Sequence, residues 1–119
     1  MIAALWLTTP LNLLGAYVFS PLSAGIGLDG FPADVHPLYR WMIAEFIGLF
    51  GVGYGYCAWS RRAPPFFIAI GAAGKLAFFA TLVSYWALGA LPLQAVATGS
   101  ADLWLGLAFA FWLLRGAGR

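Results

Sequence analysis

Charge is scarce in this chain, and so are the residues that most often carry chemistry. Only 8% of the 119 residues are charged, with a single lysine, one histidine and one cysteine. The lone Cys57 excludes an intrachain disulfide and a CxxC redox pair, and a lone histidine leaves no multi-His or Cys/His metal centre. Disulfide and haem chemistry lose most of their support with them, and neither a metal nor a cofactor is expected. The formal charge of +2 and pI of about 9.0 come from arginines at the ends of apolar runs, where topology accounts for them, so nucleic acid is not implied. The amino terminus, MIAALWLTTPLNLLGAYVF, lacks the basic n-region of a signal peptide. Pro10 and Asn12 also interrupt its apolar run, so it reads as a retained first helix with Pro10 near its start.

What is abundant is apolar surface: 63% of residues are hydrophobic and mean hydropathy is +0.89, far outside the range of a soluble domain. At about 20 residues per crossing, the length accommodates one all-α domain, an integral membrane four-transmembrane-helix bundle. The pattern predicts spans over 3–23, 40–60, 66–88 and 98–114. Gly, Pro and Asp punctuation predicts a solvated loop over 25–39, whose Asp29, Asp34 and His36 match no metal motif. Arg61, Arg62, Pro64 and Pro65 make a short connection, and 89–97 reads as a turn or short interfacial segment. Arg61, Arg62, Arg115 and Arg119 fall on one side and Arg40 alone on the other, so the basic-residue bias predicts both termini in the cytoplasm. Tryptophans agree, with Trp6, Trp59 and Trp112 near the inner interface and Trp41, Trp86 and Trp104 near the outer one.

Lys75 lies in the middle of the third span, and a charge at the bilayer centre costs about 2.5–3.5 kcal/mol even on a lenient scale, so it should face inward and meet an anion. The acidic residues within other spans are Glu45 and Asp102. A rise of about 1.5 Å per residue puts Lys75 roughly 14 Å, Asp102 roughly 20 Å and Glu45 roughly 22 Å from the cytoplasmic face. With sequential helices as neighbours, these predict a buried Glu45, Lys75 and Asp102 cluster in which Asp102 is the first partner and Glu45 the second. Such a cluster carries an excess negative charge that a proton, Arg40 or water would have to balance. Asn12, Thr81 and Tyr85 are candidates for lining it, although interhelical hydrogen bonding accounts for such residues as well. Gly48, Gly55, Gly71, Gly74, Gly99 and Gly106 are expected at close helix contacts, because association in lipid depends on near backbone approach. Gly48, Val52 and Gly55 share a face with Glu45 at helical spacing, while Gly51 falls on the neighbouring face.

The runs RWMIAEFIGLFGVGYGY, GAAGKLAFF and GSADLW resemble small bacterial four-span inner-membrane proteins of the broadly DoxX-like kind. That resemblance implies a bundle in the bacterial inner membrane and brings no catalytic residue to these positions. Small multidrug transporters are similar in size but place their glutamate in span one, where this chain has Asn12. Small fluoride channels carry a Thr/Ser/Phe-rich motif that is absent. Three classes stay open. An accessory or structural subunit of a membrane assembly needs only a packed bundle with an outward seam. A proton-coupled small-solute or ion transporter or channel needs a second conformation or an oligomer. A membrane enzyme needs a nucleophile or cofactor site, for which Cys57, His36 and the charged cluster are a poor set. The expected partners are the lipid bilayer and either further copies of the chain or a larger membrane protein.

Overall fold

The computed structural model describes residues 1–23, 31 and 35–116; Asp29, Asp34 and Arg119 lie outside the described residues. The described chain is all-helical, in the order α1 (Ile2–Phe19), a 3-10 turn (Pro21–Ser23), α2 (Pro37–Ser60), α3 (Pro65–Ala87), α4 (Leu93–Thr98) and α5 (Ser100–Leu114). Three of these helices, α1, α2 and α3, are long and apolar enough to cross a membrane.

Helix ends follow local chemistry. Pro37 and Pro65 each open a helix, where the missing N–H costs no internal bond. His36 caps α2 by accepting the Leu38 N–H on Nδ1 at 3.1 Å, so α2 begins one turn before the predicted Arg40. Arg61 closes the same helix in the left-handed conformation, φ 57°, with the Arg62 N–H returning to the Cys57 carbonyl at 3.0 Å. Pro10 falls in the middle of α1 rather than near its start, because the helix begins at Ile2. At the far end of α1, Arg40 donates from Nε to the Phe19 carbonyl at 3.1 Å and from a terminal nitrogen to the Ser20 carbonyl at 2.7 Å. A guanidinium there satisfies acceptors that a helix end leaves free and complements its dipole.

Packing follows two hairpins. α1 lies chiefly on α2, and α3 chiefly on α5. Sequential neighbours α2 and α3 do not pack backbone to backbone as expected; the rings of Phe50, Tyr54 and Phe67 stand between them, with Phe50 and Phe67 stacked at 5.6 Å. The apolar core, Leu5, Tyr54, Cys57, Ala58, Ile68, Ala72 and Phe109, sits at the end where α1 and α3 begin and α2 and α5 finish.

The predicted fourth span resolves into two pieces. α5 has 15 residues, and Gly99 separates it from the six-residue α4 within the segment expected to be a turn or the start of the span. The φ of −84° at Gly99 keeps a right-handed turn between them.

Candidate functional site

Asn12, Lys75 and Asp102 come together from three helices near the middle of the bundle. Lys75 is brought inward because its turn of α3 faces α5 across Gly106, where an added Cβ would meet Leu76 Cδ2 at 2.9 Å and Lys75 Cβ at 3.2 Å. The two backbones can therefore approach, and the lysine stem is 6% exposed. Its ammonium donates to Asp102 Oδ1 at 2.9 Å and to Asn12 Oδ1 at 3.1 Å, and lies 5.4 Å from the centre of the Tyr54 ring. Two of its three donors thus meet oxygens, and the charge also faces an aromatic ring.

Each partner is held in turn. Asp102 occupies the first turn of α5, where the helix dipole favours a carboxylate by about 0.3–1 kcal/mol. Asn12 turns its Nδ2 to the Ile47 carbonyl of α2 at 3.1 Å, which leaves Oδ1 for the lysine. The amide reaches that backbone because Gly51 has no side chain; a Cβ there would stand 3.0 Å from Asn12 Cβ. Thr8 adds a long hydroxyl contact to the same Oδ1 at 3.4 Å. A single polar chain, Ile47 carbonyl to Asn12 to Lys75 to Asp102, therefore touches α2, α1, α3 and α5. Lys75–Asp102 is the one ion pair among the described residues, and no buried side-chain nitrogen or oxygen among them lacks a hydrogen-bond partner.

Glu45 is not part of this chain. The packed side of α2 runs through Ala44, Gly48, Gly51, Gly55 and Ala58, against Ala16, Asn12 and Thr9 of α1. Glu45 lies one residue, about 100° of helix, away from that side. With Val52 and Trp59 at seven-residue intervals it forms an exposed stripe. The amide of Asn12 fills the second position by Lys75, so the cluster carries one positive and one negative charge and has no excess to balance.

Thr81 and Tyr85 are exposed and line nothing near Lys75; the Thr81 hydroxyl donates to the Ala77 carbonyl at 2.8 Å. The glycines divide. Gly71 lies directly under the Tyr54 hydroxyl and Gly99 under Leu82, Gly55 would set a Cβ 3.1 Å from Thr9, and Gly48 would make an ordinary 3.6 Å contact with Ala16. Gly74 is exposed with open space where its Cβ would be, so it is not a packing position. Sequence reasoning missed Tyr54 and Gly51; both lie on the α2 side that also contains Ala44 and Ala58, the phase of small residues displaced by one from the phase chosen.

Among the described residues no group of His, Cys, Asp and Glu side chains could hold a metal ion. No family model matches the chain, and no curated protein or solved structure matches it.

Proposed function

We propose that this chain is an accessory or structural subunit of a membrane assembly, a four-crossing bundle of the bacterial inner membrane with both termini cytoplasmic. The observation that carries this reading is the polar chain that joins α1, α2, α3 and α5. Its ammonium and carboxylate neutralise each other and its amide is held at both ends, an arrangement suited to fixing helix register rather than to moving a proton or attacking a substrate. Hydropathy supports the membrane setting through α1, α2 and α3. A fourth crossing draws on α4, Gly99 and α5 together, whose run 93–114 has the length that α5 lacks by itself.

Purification from native membranes in mild detergent tests the reading. A larger membrane protein should accompany the chain in fixed stoichiometry, and the complex should survive in Lys75→Met/Asp102→Asn. A chain that purifies alone as a homo-oligomer, conducts ions or solute in liposomes and loses that activity in the double variant is the transporter instead.

A further inference from the structure

Glu45 is the one carboxylate among the described residues that forms neither a hydrogen bond nor an ion pair, and it stands exposed on an apolar helix. Beside it opens a depression of about 290 Å³ between the end of α1 and the second and third turns of α2. Ala16 and Ala44 are small enough to leave the hollow, Tyr17 and Trp41 line it with 49% and 41% of their surface exposed, and Glu45 supplies its free carboxylate, the Ser20 oxygens being engaged with Tyr17, Leu22 and Arg40. A carboxylate in an apolar hollow that two electron-rich rings also line complements a positive charge that itself carries apolar groups.

Other cations fit less well. An inorganic ion would need several oxygen ligands in a fixed shell, and among the described residues no second carboxylate or histidine joins Glu45. Within the molecule, Arg40 is engaged with the carbonyls of Phe19 and Ser20, and Lys75 with Asn12 and Asp102. We propose that the hollow binds a hydrophobic organic cation, an ammonium or phosphonium with alkyl or aryl substituents, its charge against Glu45 and its substituents against Trp41 and Tyr17. This site stands on residues separate from the Lys75 chain, so it holds whether or not the accessory reading does.

The probe is tetraphenylphosphonium, added to the purified full chain in neutral detergent and followed by equilibrium dialysis and by tryptophan fluorescence. Saturable binding of one cation per chain is expected. Glu45→Gln should weaken it about tenfold or more, since the Coulomb attraction between the carboxylate and the cation is lost. Trp41→Leu should weaken it several-fold, and Lys75→Met/Asp102→Asn should leave it in place. Glu45→Gln should melt at the parent temperature, because Glu45 makes no hydrogen bond or ion pair within the described residues. Uncharged triphenylphosphine oxide should not compete. The proposal is overturned if the parent shows no saturable binding, if Glu45→Gln binds as tightly, if the neutral compound competes equally, or if Glu45→Gln loses binding and thermal stability together.

Discussion

The ammonium of Lys75 brings three donors into the bundle, and acceptors from α1 and α5 meet it within 3.1 Å. Removing the lysine alone leaves Asp102 Oδ1 without its donor and Asn12 Oδ1 with only the long Thr8 contact. Breaking one side of a buried pair costs about 3–5 kcal/mol, and the low end applies because the Asp102 side chain remains 25% exposed. Lys75→Met should therefore lower the melting temperature in detergent sharply, and adding Asp102→Asn should restore part of the loss. A double-mutant cycle with a coupling of about 1–3 kcal/mol is expected; additive losses would mean that the two charges do not stabilise each other. Asn12→Leu makes a different cut. It takes away the donor to Ile47 and one acceptor of Lys75 but keeps the ion pair, so a loss of about 1–3 kcal/mol is expected. Equal stability of Asn12→Leu and the parent would remove α1 and α2 from the clasp.

Helical phase decides which small residues matter. In α2 the glycines occur so often that two adjacent phases both look plausible in the sequence, one through Glu45, Gly48, Val52 and Gly55 and the other through Ala44, Gly48, Gly51 and Gly55. Hydropathy could not choose, because a lipid-facing side is as apolar as a packed one. The contacts with Asn12 and Thr9 select the second. The lysine's first partner was legible because charge and depth both act along α3 and α5 individually. Its second partner depended on which helices lie side by side, and local patterning does not encode that. Gly74 and Gly106 display the same distinction. Gly106→Leu should destabilise by about 1–3 kcal/mol, since overpacking must displace Leu76 and the Lys75 stem. Gly74→Ala should be neutral or stabilise by up to about 1 kcal/mol, because the site is open and alanine favours the helix. Thermal melts of the two variants in one detergent check the contrast; equal losses would show that both glycines serve the helix in the same way.

At the scale of the whole molecule, three helices, α1, α2 and α3, are long and apolar enough to cross a bilayer. Whether the chain crosses three or four times turns on its last segment. α5 by itself spans about 22 Å, short of a hydrocarbon core of about 30 Å. Gly99, however, does not reverse the chain: its N–H returns to the Ala95 carbonyl at 3.2 Å, and its own carbonyl accepts from the Asp102 N–H at 3.1 Å. Were α4 and α5 to run on in line, 93–114 would reach about 33 Å, the length of a crossing. The Lys75 pair adds a second constraint, because it fixes Asp102 beside the middle of α3 and sends the rest of α5 back toward the end where α3 begins. Arg115 then belongs on the side of Arg61 and Arg62, where the basic-residue bias would also put it. Labelling of single cysteines in intact cells with an impermeant thiol reagent distinguishes the two cases, with buried Cys57 as a silent background. Asp34→Cys should react from outside, whereas Arg62→Cys and Arg115→Cys should react only after the membrane is opened. Reaction of Arg115→Cys from outside, with Arg62→Cys still protected, would leave three crossings and put the C-terminal end of α5 on the outer side. Such a result would also be incompatible with the Lys75–Asp102 pair lying where the bundle places it.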